Sequence, residues 1–160
     1  MKKKVLQSHL IPLFLFYICS VWTITFSYPW PVQEFSQEHR ITATLGEFRE
    51  VYRFHRGIDI GQAIDTPVYP VVSGRVIGIV RDTINAQVVI EGGIPLRSYH
   101  YIHITPSSSL IVGQEVIAGE TLLGRILDYP AGAHLHFEEG EGNFNPLRSV
   151  TDGGIDPSPT

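Results

Sequence analysis

The chain has 160 residues, 43% of them hydrophobic and 11% aromatic, which is enough for one globular core and too short for two ordinary domains. Its three lysines all lie at positions 2–4, so the rest of the chain sets nine arginines against sixteen acidic residues, a formal charge of −7. This acidic balance argues against a nucleic-acid partner. The one cysteine, Cys19, lies in the N-terminal segment, so we expect no disulfide in the domain that follows.

Residues 1–27 carry the features of an export segment. The lysines precede an uncharged apolar run at 10–26, and Thr25 and Ser27 place small residues at the spacing that a signal peptidase recognises. A run of about 17 residues is at the lower limit for crossing a bilayer, so we favour a cleaved signal peptide over the alternative, an uncleaved single-pass anchor. Both alternatives export the domain to the periplasm or the cell surface, and the anchor would add membrane association.

The rest of the chain predicts one sheet-rich domain. Residues 28–40 form a polar lead-in with prolines, the domain is expected over 41–147, and 148–160 are expected to be a disordered tail. No stretch shows a sustained helical period, and short β-branched or aromatic runs end at Gly, Pro, Asp or Asn. We therefore predict an all-β fold of packed, hairpin-connected sheets. The predicted strands are 41–44, 67–72, 75–81, 86–91, 96–104, 121–127 and 133–138.

The last predicted strand contains a pair of histidines, His134 and His136. Side chains alternate between the two faces of a strand, so both imidazoles project from one face while Leu135 and Phe137 turn towards the core. Two imidazoles on one surface suit a metal site. Two hydrogen-bonded surface histidines are the alternative.

A second motif, residues 54–62, places His55 four residues before Asp59. Flanking Ile58 and Ile60 favour an extended segment, in which His55 and Asp59 share a face, and Gly57 between them has no side chain that could obstruct an ion. Two histidines and one carboxylate form the ligand set of a hydrolytic zinc site with one position open for water. An ordinary His–Asp ion pair at a strand edge is the alternative.

A third motif lies at residues 98–104. Strand alternation predicts Tyr99, Tyr101 and His103 on one face of this strand. His100 shares the other face with isoleucines, and we expect it to be a structural, hydrogen-bonded histidine.

Five segments in this order resemble the lysostaphin-type (LytM-type) zinc metallopeptidases, which cut peptidoglycan cross-links. The resemblance covers about residues 41–147 and so includes nearly the whole exported domain. It implies a small antiparallel β-sheet domain, a narrow groove over one zinc ion, and a monomer that acts on the stem-peptide cross-links of the cell wall. The five segments are 55–61, 65–76, 101–104, 112–124 and 134–138.

The same resemblance assigns roles to five residues. His55, Asp59 and His136 would bind Zn²⁺, one ion per domain. His103 and His134 would be catalytic histidines that do not bind the metal, and which of them is the general base stays open. The sequence has no HExxH motif, so histidine would supply the acid–base chemistry.

Some loops depart from the family pattern. Residues 128–133 lack the usual turn rich in glycine and hydroxyl residues, and Leu45 precedes Gly46 where phenylalanine is common. Substrate preference is therefore open, and we favour a D,D cross-link over a glycine bridge.

Two other functions compete with this interpretation. A zinc-free relative that binds and activates another wall hydrolase is the alternative, although all five site positions are filled here. A biotinyl or lipoyl carrier is excluded because no lysine occurs beyond position 4.

Overall fold

The computed structural model describes residues 27–50 and 53–148. The signal-or-anchor prediction, apart from Ser27, and the tail prediction from residue 149 onward lie outside the described residues. Within the described part, no helix has the length and apolar character needed to span a bilayer. The elements there are β1 (Ile41–Ala43), β2 (Phe48–Glu50), β3 (Arg53–Phe54), β4 (Ile58–Gly61), β5 (Pro67–Val68), β6 (Gly74–Val80), β7 (Gln87–Gly92), β8 (Arg97–Ile102), β9 (Ile104–Pro106), β10 (Glu115–Val116), β11 (Gly124–Ile126), β12 (His134–Glu139) and a 3₁₀ turn at Pro146–Arg148.

A seven-stranded antiparallel sheet, in the order β1-β4-β12-β8-β7-β6-β10, forms the centre of the fold. A three-stranded sheet, β5-β11-β9, and the β2-β3 hairpin complete the described structure. The predicted all-β, antiparallel fold is thereby confirmed.

The two faces of the large sheet differ in chemistry, as strand alternation requires. On β12, Leu135 and Phe137 are fully buried in the core, together with Val68 and Ile126 from the three-stranded sheet. The opposite face of β12 presents His134, His136 and Glu138. This polar face of the large sheet carries the candidate site.

The lead-in segment also belongs to the core. Tyr28, Trp30 and Val32 are buried, and Val32 forms a bridge with Val68. The Tyr28 hydroxyl donates a 2.7 Å hydrogen bond to Glu139, a fully buried carboxylate that also pairs with Arg97. The sequence pattern predicted only a polar lead-in here, because single aromatic residues between prolines show no period.

Several strands differ from their predicted bounds. The predicted strand 67–72 ends after Val68, and the predicted strand 96–104 is interrupted at His103, whose φ of 63° turns the chain between β8 and β9. The extended conformation predicted around Ile58 and Ile60 is confirmed as β4. The short strands β2, β3 and β10 were not predicted, since two or three residues carry too little periodicity.

Candidate metal centre

His55, Asp59 and His136 meet at one point. Strands β4 and β12 pair with His136 directly opposite Asp59, and His55 lies three residues before β4. Asp59 Oδ1 lies 3.0 Å from His55 Nε2 and 2.8 Å from His136 Nδ1, and the two nitrogens are 2.8 Å apart. The structure therefore brings together the three residues that were predicted as metal ligands, in a group that could hold one ion.

The outer atoms of this cluster are fixed by hydrogen bonds. His55 Nδ1 donates to the Thr44 carbonyl over 2.8 Å, and His136 Nε2 donates to Glu138 Oε1 over 3.0 Å. Each neutral imidazole has one N–H, so these bonds leave His55 Nε2 and His136 Nδ1 as acceptors when the rings are neutral, and a hydrogen bond from either nitrogen to Asp59 requires a second proton on that ring. Carboxylates or carbonyls that bind the outer nitrogen commonly orient metal-binding histidines in this way.

The charge of the cluster fits a bound cation. Burial alone would raise the pKa of Asp59, but hydrogen bonds with His136 and His55 outweigh it and lower the pKa far below its usual range. Burial would lower the pKa of His136, but hydrogen bonds with Asp59 and Glu138 outweigh it and raise the pKa. His55 Nε2, Asp59 Oδ1 and His136 Nδ1 converge on one point, so positive charge there stabilises the cluster. That charge is either a proton on His136 or a metal ion that replaces the proton.

Arg49 is a further partner of the cluster that sequence reasoning missed. Its Nη2 donates a 2.8 Å hydrogen bond to Asp59 Oδ2, the carboxylate oxygen that faces away from the two imidazoles. This ion pair leaves Oδ1 as the oxygen directed at the histidines. Arg49 lies on β2, whose pairing could not be read from the local pattern.

His134 and His103 lie beside the cluster, and their rings are 4.9 Å apart. His134 Nδ1 donates to the Gly132 carbonyl over 2.7 Å, and His103 Nδ1 donates to the Ile84 carbonyl over 2.8 Å. Both rings thus keep Nε2 as an acceptor, and His134 Nε2 lies 3.7 Å from Asp59 Oδ1. Burial lowers the pKa of His103 to about 4, although its hydrogen bond to Ile84 opposes the shift, so the ring is neutral at pH 7.

The prediction that His103 shares a face with Tyr99 and Tyr101 is wrong. Both tyrosines are buried in the core, whereas His103 lines the cavity at the cluster. The cause is the positive φ at His103, which breaks the strand alternation on which the prediction depended.

One other expectation needs correction, and another gains a second physical reason. His100, expected to be hydrogen-bonded, has a buried Nε2 with no hydrogen-bond partner among the described residues. Gly57, expected to leave room for an ion, is also required by packing, since a Cβ there would lie 2.2 Å from the Phe137 carbonyl oxygen on β12.

Tyr129 completes the walls of the site. Its ring centroid lies 4.0 Å from that of His103 and 5.1 Å from that of His134. The cavity at the cluster has a volume of about 380 Å³. Its lining includes Arg49, His55, Asp59, His103, Tyr129 and His136. Tyr129 was missed because it lies in a loop without a recognisable motif.

The fold and the site define an all-β protein with a two-histidine, one-carboxylate cluster, the ligand types of hydrolytic zinc centres, beside two further imidazoles. Residues 53–146 match the profile of Peptidase family M23, and the chain belongs to this family. No curated protein gave a significant match to the sequence.

Solved structures show the same fold. Csd3 of Helicobacter pylori is 25% identical with a TM-score of 0.61, and the match covers 78% of this chain and 35% of Csd3. The catalytic domain of lysostaphin from Staphylococcus simulans is 22% identical with a TM-score of 0.54, over 66% of this chain and 83% of that domain. A zinc containing peptidase from Vibrio cholerae is 23% identical with a TM-score of 0.58, over 84% and 41%. This chain therefore spans only about a third of the length of Csd3.

Proposed function

We propose that this protein is an exported, zinc-dependent endopeptidase that hydrolyses the peptide cross-links of bacterial peptidoglycan. The observation that carries the proposal is the convergence of His55, Asp59 and His136 beside two imidazoles with acceptor nitrogens. Membership of Peptidase family M23 supports a peptidase. Similar structures include an antimicrobial peptidase, lysostaphin, and a zinc containing peptidase, which supports a peptidase that uses zinc.

His55 Nε2, Asp59 Oδ1 and His136 Nδ1 would hold the ion. Zinc, when bound, would polarise the scissile carbonyl and lower the pKa of a water molecule towards 7. Thr44 and Glu138 fix the orientation of the two imidazoles, and Arg49 fixes that of the carboxylate. These contacts would keep the three atoms directed at an ion.

His134 and His103 would carry out the proton transfers of the reaction. Each ring is held by a backbone carbonyl at Nδ1, so each can accept a proton at Nε2 or donate one from it when charged. One ring would take the proton of the attacking water and deliver it to the leaving amine. The other, when protonated at Nε2, would donate a hydrogen bond to the oxygen on which negative charge develops.

Digestion of purified peptidoglycan, with mass analysis of the products, tests the proposal. We expect cleavage at D,D cross-links by the wild-type protein and none by His136→Ala protein or in the presence of a chelator. His39→Gln serves as a matched control, since His39 bonds Glu34 and Gln62 outside the cluster and its loss should leave cleavage intact.

The same experiment separates the alternatives. Products cut within a glycine bridge would show that the enzyme cleaves glycine bridges rather than D,D cross-links. The protein would still be an endopeptidase. A protein that binds no zinc, cuts nothing and stimulates a separate wall amidase would contradict the proposal and identify an adaptor. Persistent cleavage by His136→Ala protein and in chelator would remove zinc from the mechanism.

A further inference from the structure

A second cavity of about 580 Å³ adjoins the candidate metal centre. It shares Arg49, His55, His103, Tyr129 and His136 with the first cavity and extends away from His134. Its other lining residues include Arg53, Phe54, Arg56, Asn85, Ile102 and Glu138. The second cavity is therefore within reach of a substrate bound over the metal ligands.

Three arginines give this cavity a charge opposite to that of the domain as a whole. Arg49, Arg53 and Arg56 all line it, whereas the chain beyond the N-terminal lysines has a formal charge of −7 from nine arginines and sixteen acidic residues. The one carboxylate in the lining, Glu138, is only 6% exposed. Its Oε1 accepts from His136 over 3.0 Å, and its Oε2 lies 3.8 Å from Arg56.

Arg49 is held in position beside the metal ligands by an ion pair. Asp59 anchors its guanidinium at 2.8 Å, beside the metal ligands, while 43% of the side chain stays exposed. A guanidinium has five N–H donors in a rigid plane, so Arg49 can hold Asp59 and still donate to a group in the cavity. Because the anchored side chain loses less entropy when it binds, it is pre-organised for a planar anion.

We propose that the second cavity is a subsite for a carboxylate of the substrate peptide, with Arg49 as its principal donor. A carboxylate matches the paired N–H groups of a guanidinium, and the surrounding positive charge favours it over a neutral amide. This inference rests on the proposed endopeptidase function and specifies which peptides the enzyme prefers.

The test compares two forms of one substrate. A cross-linked peptide dimer is prepared with its carboxylates free and again with them converted to carboxamides, and kcat/KM is measured for both. Charge-assisted hydrogen bonds contribute about 1.5–3 kcal/mol, so we expect the wild-type protein to prefer the free carboxylates by about tenfold or more. Metal occupancy affects both dimers equally, so their ratio reports on the subsite alone.

Variants of Arg49 then test whether this residue causes the preference for free carboxylates. Arg49→Gln should reduce the ratio to near one, and Arg49→Lys, which keeps the charge without the fork, should give an intermediate ratio. Arg75→Gln is the matched control, because Arg75 pairs with Glu115 on the exposed β6-β10 edge and should keep the full ratio. Full preference in Arg49→Gln protein would overturn the role of Arg49.

Binding measurements keep the subsite testable without turnover. Calorimetry on His134→Ala protein should show at least about tenfold tighter binding of the carboxylate dimer than of the carboxamide dimer. Equal binding, or equal kcat/KM in the wild-type protein, would overturn the subsite and leave the endopeptidase intact. Preferential binding without cleavage by zinc-loaded wild-type protein would support the subsite and contradict the proposed reaction.

Discussion

Replacing Gly57 with alanine should disrupt the metal centre without touching any ligand. Gly57 lies between His55 and Asp59, and a Cβ there would be 2.2 Å from the Phe137 carbonyl oxygen and 2.8 Å from its carbon. Real Cβ contacts are essentially never closer than 3.0 Å, so the segment must move by at least about 0.8 Å away from β12. Metal sites tolerate departures of only about 0.2 Å in ligand distance. His55 and Asp59 would therefore separate from His136.

Zinc affinity, measured by competition with a chromogenic chelator, checks this expectation. We expect Gly57→Ala to bind zinc at least about tenfold more weakly and to lose about 1–3 kcal/mol of unfolding free energy, the usual range for overpacking. Gly78→Ala is the matched control, since its Cβ would meet Val89 at an ordinary 3.5 Å within the same sheet. Wild-type zinc affinity and stability in Gly57→Ala protein would refute the argument from strand packing.

Three further expectations follow from the same geometry. Glu138→Gln keeps a hydrogen-bond acceptor for His136 but loses the charge, so zinc should bind about 10- to 100-fold more weakly, as chelator competition can measure, and unchanged affinity would contradict the orienting role. Replacing His134 or His103 with alanine should lower kcat about 10²- to 10⁴-fold while zinc content, measured by metal analysis, stays at one equivalent, and loss of the metal would show that the residue is a ligand instead. Burial raises the pKa of Tyr28 well above its usual value and that of Tyr99 to about 12, and the negative charge of Glu139 is the second cause of both shifts. The contribution of these tyrosines to stability should therefore be constant below pH 10 and fall above it by about 1.4 kcal/mol per pH unit for each tyrosine. In urea unfolding at pH 9 and 11, Tyr99→Phe should show the smaller decrease, and an equal decrease would contradict the assignment.

Local pattern predicted much of the candidate site. The alternation of His134, Leu135, His136 and Phe137 is the alternation found on β12, because that strand is regular and separates a core from a polar face. The extended segment at Ile58 likewise followed from β-branched residues. That β4 and β12 are neighbours was available only from the family resemblance, since no local signal specifies which strands pair.

The failures have a common physical cause. His103 departs from the predicted face because one residue with a positive φ ends the alternation, and histidine gives no signal of that conformation as glycine would. Arg49 and Tyr129 reach the site from a short hairpin and a loop, and Tyr28 reaches Glu139 across 111 positions of the chain. Such contacts are set by tertiary packing, which periodicity does not encode.

The most direct test is an anomalous difference map, recorded at the zinc edge, from crystals of the zinc-loaded protein. The account predicts one strong peak within about 2.0–2.2 Å of His55 Nε2, Asp59 Oδ1 and His136 Nδ1, with His103 and His134 outside bonding distance. A peak bonded to His103 or His134, or no peak at this cluster, would contradict it.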